Sequence, residues 1–207
     1  MRTKAGILCL IIGAALIFGA LSLFFYNQHE AAQAEKVSED LLPQLREAAQ
    51  DGSQTASETQ EAPPGTPVEL LDPSAFIMTE VEIDGYGYIG YLSIPKLELE
   101  LPIMGDWDYT RLQIAPCRYT GSVRGEDLVL MAHNYASHFG GLTKLSEGDS
   151  VVFTDMDGVV TTYQVIAQDI LDPYAVEEMT AGEFDLTLFT CTYGGQSRVT
   201  VYCDLAS

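Results

Sequence analysis

Three residues in this chain have side chains that can form a nucleophile, its proton partner and an oxyanion donor: Cys191, His133 and Arg198. Cys191 ends the run Leu186-Thr187-Leu188-Phe189-Thr190-Cys191 and lies seven residues before Arg198. His133 ends another apolar run, Asp127-Leu128-Val129-Leu130-Met131-Ala132-His133. A thiol attacks well only as thiolate, and a nearby imidazole or cation favours that form. A guanidinium can hold the oxygen of a tetrahedral intermediate or clamp substrate carbonyls through two parallel hydrogen bonds. Taken singly, each residue has a plainer reading: a core cysteine, a satisfied histidine, a surface charge. Their joint placement at three strand ends favours chemistry. Residues on strands joined by so short a loop lie close in space.

The elements that must position these groups come from one small domain. The chain has 207 residues and a formal net charge of −20, from 30 acids and 10 bases. Such a surface repels phosphates, so a nucleic-acid partner is not expected. No CxxC pair, no Cys/His metal spacing and no G-x-G-x-x-G loop occurs, so neither a metal nor another cofactor is expected. Cys117 and Cys203 read as two buried thiols in preference to a disulfide.

Ala5 to Tyr26 carries no charge. As a helix it spans roughly 33 Å, enough for a bilayer core. Arg2 and Lys4 precede it and Glu30 and Glu35 follow. That asymmetry predicts a cytoplasmic N-terminus and an extracellular catalytic domain, anchored in the cell membrane by one pass. Ala32-Gln33-Ala34 looks like a signal-peptidase site, but the apolar run is longer than a cleaved signal requires, which favours an uncleaved anchor. Residues 1–26 thus read as cytoplasmic tip and anchor, and residues 27–80 as an extracytoplasmic stalk and flexible linker. Within the stalk His29 to Gln50 is Ala/Gln/Glu-rich and helix-forming, with His29 in solvent. Asp51 to Pro67 reads as extended linker. Residues 27–67 are expected to lack the apolar content needed to join a core. Leu70 to Met78, around Asp72-Pro73, reads as a packing segment, with a lid as the alternative.

Residues 81–207 read as the catalytic unit. Short strands with turn signals predict a mostly β barrel or sandwich with short helices. The expected strands are Tyr88–Ile94, Leu97–Met104, Asp127–His133, Val151–Thr154, Val159–Leu171, Thr187–Cys191 and Arg198–Asp204, with a hairpin turn at Asp157-Gly158. Asp106–Ile114 reads as a short helix capped near Asp106, and Phe139–Leu145 as one or two helical turns. His138 is expected to be solvated or loop-packed.

At these residues the chain resembles the sortases, cysteine transpeptidases of Gram-positive bacteria. Thr187-Leu188-Phe189-Thr190-Cys191 is similar to the family's TLxTC signature, and Arg198 matches its arginine at the start of the last strand. Leu128 to Asn134 is similar to the strand bearing the family's histidine. Tyr91 to Lys96, followed by Leu101-Pro102-Ile103, resembles its opening strands. The resemblance covers about residues 86–205. It implies an eight-stranded sortase-type β-barrel and a thiol-protease type of enzyme. It also implies cleavage of an LPxTG-like sorting signal in a surface protein, and transfer through a thioacyl intermediate to a peptidoglycan-precursor or pilin amine. Cys191 would be the nucleophile, His133 the acid and base, and Arg198 the substrate or oxyanion donor, with Thr190 and Asn134 as substrate-binding neighbours.

Some features depart from the family pattern. Ala132 stands where glycine usually precedes the histidine. The segment Leu171–Asp185 is too short for the long helix of class B enzymes, although His133-Asn134 and Cys191-Thr192-Tyr193 resemble that class. No membrane segment follows Cys203, which points away from pilus polymerases. A class D-like enzyme, or a class B relative without the helical insert, is therefore expected. The competing functions are another cell-surface cysteine peptidase, which would place its cysteine at a helix start, and an inactive sortase-like binding domain.

Overall fold

A computed structural model describes residues 2–59 and 77–206. The Asp72-Pro73 stretch, with its lid alternative, lies outside the described residues. Nine strands follow a long N-terminal helix. They are β1 (Val81–Ile83), β2 (Tyr86–Ile94), β3 (Leu99–Met104), β4 (Cys117–Thr120), β5 (Leu128–Ala132), β6 (Ser150–Asp155), β7 (Val160–Leu171), β8 (Leu186–Cys191) and β9 (Arg198–Leu205). The sheet order is β1-β2-β3-β4-β5-β8-β9-β7-β6, and β6 pairs back onto β2. Strands β2 to β9 thus form the expected closed eight-stranded barrel, and β1 is a short edge addition. Among the described residues, closure leaves this three-residue strand as the edge of the sheet.

Two pairings are parallel, β3 with β4 and β5 with β8. The second positions the site. Leu128 to Ala132 pairs residue for residue with Leu186 to Thr190. Alternate residues of these strands point inward, and Leu128, Leu130, Leu186, Leu188, Val199 and Val201 join Ile89, Leu92 and Phe153 in the barrel core.

Several local expectations shift by a residue or two. The strand expected from Leu97 starts at Leu99, because Pro95–Leu97 forms a 3₁₀ turn that ends with Glu98 in the left-handed region (φ 56°). The short helix α2 is Tyr109–Ile114, and its N-cap is Asp108, not Asp106. The Asp108 carboxylate accepts from the backbone N–H groups of Thr110 (2.7 Å) and Arg111 (2.8 Å). Phe139–Lys144 is a 3₁₀ segment, and the Asp157-Gly158 turn joins β6 to β7. Between β7 and β8 the chain makes only the five-residue helix α3 (Val176–Thr180).

The N-terminal helix α1 is continuous from Arg2 to Thr59, with Pro43 inside it. Its first part is long and apolar enough to cross a membrane, and Leu10 to Tyr26 presents its large side chains outward. Its second part corrects the sequence reading of a stalk free of the domain. Ala34, Ser38, Leu41, Leu45 and Ala49 are all buried. Their spacing of three and four residues places them on one helical face. Leu41, Leu45 and Ala49 of that face pack with Tyr88, Met104, Leu112, Ala115 and Met156 in a second apolar cluster. Arg46 adds an ion pair to Glu100 on β3. Close approach requires glycine at two places: a Cβ on Gly52 would meet the Met156 carbonyl at 2.2 Å, and one on Gly158 (φ 76°) would meet the Ala49 carbonyl at 2.6 Å.

Candidate active site

Strand register brings the three sequence candidates together. Cys191, the last residue of β8, is the direct antiparallel partner of Arg198, the first residue of β9. On the other side of β8, Ala132 is the parallel partner of Thr190. The residues that follow, His133 and Cys191, therefore leave adjacent strands at the same end. All three line one cleft of about 220 Å³.

Thr190 fixes the relation between these two strands. It is buried, and its hydroxyl donates to the Ala132 carbonyl at 2.8 Å. This bond lies one residue before both the thiol and the imidazole. It secures their strands but does not itself face solvent. Asn134 lies on the opposite side of Cys191, where it lines a smaller cleft of about 190 Å³ with Thr143, Thr192 and Tyr193.

The loop between β8 and β9 is wound by its own hydrogen bonds. Thr192 N–H donates to Ser197 O (2.9 Å), Gly195 N–H donates to Thr192 O (2.8 Å), and Ser197 N–H donates to Thr192 Oγ1 (3.1 Å). Gly194 (φ 83°) and Gly195 (φ 72°) supply the left-handed turn. Arg198 Nη1 donates to the carbonyls of Gly195 and Ser197, each at 3.2 Å. These bonds tie the guanidinium to the loop that follows Cys191 and leave it donors to spare.

Burial holds the His133 pKa below the usual histidine range, and the Glu30 carboxylate opposes that fall. A neutral imidazole can accept the proton of an attacking thiol or amine. Cys117 and Cys203 are fully buried free thiols whose pKa values are pushed up to about 12, mainly by burial. They are chemically inert by comparison with a thiol at a cleft wall.

His138 takes the loop-packed of its two expected positions, against Tyr135 in the loop after β5. It is fully buried, and burial, reinforced by the neighbouring His133, holds its pKa down to about 4. It does not line the cleft that holds Cys191. Sequence reasoning also missed the cleft's aromatic wall. Trp107 stacks on Tyr119 (5.7 Å between centroids), and Tyr119 meets Phe189 edge-on (5.4 Å). With Val176 and Met179 of α3 they make an apolar trough leading to the thiol. Only Phe189, at an alternate position to Cys191 on β8, could have been placed there from strand periodicity.

A closed barrel with a thiol, an imidazole and a guanidinium at the ends of adjoining strands has the groups that cysteine acyl transfer requires. A sequence profile of the Sortase domain matches residues 92–206, more than half of the chain. The chain belongs to the sortase family. Among solved structures it is similar to sortase C1 of Streptococcus agalactiae (28% identity, TM-score 0.54, 61% of this chain and 71% of that one). It shares its fold with sortase C of Clostridium perfringens (21%, TM-score 0.53, 90% and 98%). The same holds for sortase A of Corynebacterium diphtheriae (20%, TM-score 0.54, 90% and 96%). No curated protein sequence matches the chain significantly. The structural relatives carry the names of two sortase types, and they do not decide between a class D-like and a class B-related enzyme.

Proposed function

We propose that this sortase-type transpeptidase acts at the outer face of the cell membrane on an LPxTG-like sorting signal, with Cys191, His133 and Arg198 as its catalytic residues. The observation that carries the reading is register: Cys191 faces Arg198 across β8 and β9 and stands beside His133 across β5 and β8. His133 takes the Cys191 proton, and the thiolate attacks the scissile carbonyl, with the Arg198 guanidinium receiving the developing oxyanion. Collapse of the tetrahedral intermediate expels the C-terminal fragment as an amine, protonated by His133. A thioester to Cys191 remains. The acceptor amine, from a peptidoglycan precursor or a pilin, then attacks the thioester while His133 takes its proton. Amide formation releases the thiol.

The apolar trough beside Trp107, Tyr119 and Phe189 suits the aliphatic residues of a sorting signal, and Asn134 borders the opposite side, where an acceptor can approach. Thr190 supports the site through its bond to Ala132 and touches substrate through its backbone. The apolar part of α1 anchors the enzyme, with Arg2 and Lys4 in the cytoplasm and the barrel outside. The test is mass spectrometry of the protein with an LPxTG-type peptide and a small amine. A peptide adduct on Cys191 that the amine discharges as a new amide supports the reading. Hydrolysis without transfer, or no adduct at all, overturns it.

A further inference from the structure

We propose that Glu30, on the first turn of α1 beyond the apolar run and held in place by the Tyr135 hydroxyl, is a positioning residue for His133 that acts through its carboxylate charge. The proposal rests on the reading of His133 as proton partner. Tyr135 lies two residues after His133, and its ring stands against the imidazole with centroids 4.9 Å apart and planes tilted by 32°. Its hydroxyl donates to Glu30 Oε2 at 3.1 Å. Burial, and then the hydrogen bond to Glu30, push the Tyr135 pKa up to about 12, so the phenol remains a donor at any physiological pH. A second latch joins the same two segments: Ser137 Oγ donates to the Ala31 carbonyl at 3.1 Å.

The loop between these contacts has little freedom of its own. Phe139 N–H donates to His133 O (3.2 Å), and the N–H groups of His138 (3.0 Å) and Gly140 (2.9 Å) donate to Tyr135 O. A Cβ on Gly140 would meet the Asn134 carbonyl at 2.4 Å, so this turn is also closely packed. Tyr135 is therefore gripped by Glu30 at its hydroxyl, and its ring forms one wall of the His133 site. Other titratable groups face His133 from each neighbouring element. His138 stands beyond Tyr135 in the same loop, with ring centroids 5.5 Å apart, Cys191 comes from β8 and Arg198 from β9. Among the described residues Glu30 is the one carboxylate acting on His133, and its charge favours the imidazolium that burial disfavours.

Glu30 lies four residues past Tyr26, about 6 Å along the helix. In this arrangement the segment that leaves the apolar run is a wall of the active site and not only a tether. The same segment, from Phe24 to Ala31, borders a cavity of about 390 Å³ with Asn134, Tyr135 and Tyr193.

The experiment uses the full chain in detergent micelles or nanodiscs. The chain has three histidines, so histidine-selective labelling gives an NMR titration that resolves His133. Glu30→Gln keeps an oxygen that accepts from Tyr135 but removes the charge, so a contact that served only to dock the helix would survive. We expect His133 to titrate at lower pH in Glu30→Gln, and its limb of the kcat profile to move in the same direction. We expect kcat near neutral pH to fall about 3- to 10-fold with KM for the peptide unchanged, well short of the ~100-fold or more for loss of a proton partner. Glu30→Asp should recover most of the loss. Tyr135→Phe, which keeps the ring but releases Glu30, should lower kcat similarly, with the double variant no worse than either single one. An unchanged His133 titration in Glu30→Gln overturns the proposal, as does a raised KM at constant kcat. Full activity in His133→Ala overturns the proton-partner reading itself, while the NMR titration still decides the coupling of Glu30 to His133.

Discussion

Leu45→Ala tests whether the stalk half of α1 belongs to the folded domain. Leu45 is fully buried on α1, in the cluster that holds Tyr88, Met104, Leu112 and Met156. Truncating a buried leucine costs about 2–5 kcal/mol, the transfer term plus the cavity left behind. The cost here has a ceiling, because the helix can release from the barrel instead of tolerating the cavity. Its docked face is small, with Leu41 and Leu45 as its buried large side chains and Ala34, Ser38 and Ala49 as smaller buried residues on either side of them. At about 1.5–3 kcal/mol for each buried leucine, the docking contribution and the ceiling are both near 3–6 kcal/mol before ordering costs. We expect a loss of about 3 kcal/mol. For a fragment beginning near residue 28 that corresponds to a fall in Tm of roughly 6–12 °C. Glu47→Ala, on the exposed side of the same helix, is the control and should change Tm by little. The assay is thermal and urea unfolding, with limited proteolysis alongside. The unsubstituted fragment should retain residues 34–49, and Leu45→Ala should expose them to cleavage. Equal Tm values for the two variants, with the helix trimmed from the unsubstituted fragment at no loss of stability, would refute the docking.

Three further outcomes are expected. A thiosulfonate should label Cys191 in preference to Cys117 and Cys203, which are buried with pKa values near 12, and Cys191→Ala should abolish both cleavage and transfer; peptide mapping and product analysis check this. Arg198→Lys keeps the charge but loses the planar fork, so kcat and kcat/KM should fall together if the guanidinium meets the oxyanion; a rise in KM alone would assign it to substrate clamping. His138 has a folded pKa near 4 against an unfolded value near 6.5, so the unfolded chain binds more protons between those pH values and stability falls on acidification through that window. His138→Phe should remove on the order of 2–3 kcal/mol of that pH dependence, read as a smaller difference in urea midpoint between pH 7 and pH 4; parallel pH slopes for the two proteins would contradict the burial argument.

The site was legible where chemistry and local geometry coincide. A cysteine and an arginine separated by seven residues across a Gly-Gly loop must face each other if both flanking runs are strands, and they do. The hairpin at Asp157-Gly158 followed from turn chemistry for the same reason. The docking of α1 was harder to read, because its packing face uses Ala34, Ser38 and Ala49, residues that add little to hydropathy. Only the spacing of Leu41 and Leu45 against them betrayed a buried side. The burial of His138 depends on which loop residues turn inward after β5, and strand periodicity ends at Ala132. Glu30 and Tyr135 are 105 residues apart, and nothing local to either one announces the other. Asp106 and Asp108 both have the chemistry of a helix cap, and only backbone geometry distinguishes them.

The place of β9 in the sheet has a consequence for how the enzyme comes into being. β9 lies between β8 and β7 in the sheet order, so the barrel wall cannot close until this late strand has been inserted between them. Its pairings with β7 and β8 make it a late, long-range step, of the kind that slows folding. The first residue of that strand is Arg198, and its pairing with Cys191 sets the thiol in its final surroundings. A nascent chain still waiting for β9 has a cysteine but no guanidinium beside it and no completed cleft. The pairing that completes the sheet is thus the same one that brings Arg198 to Cys191.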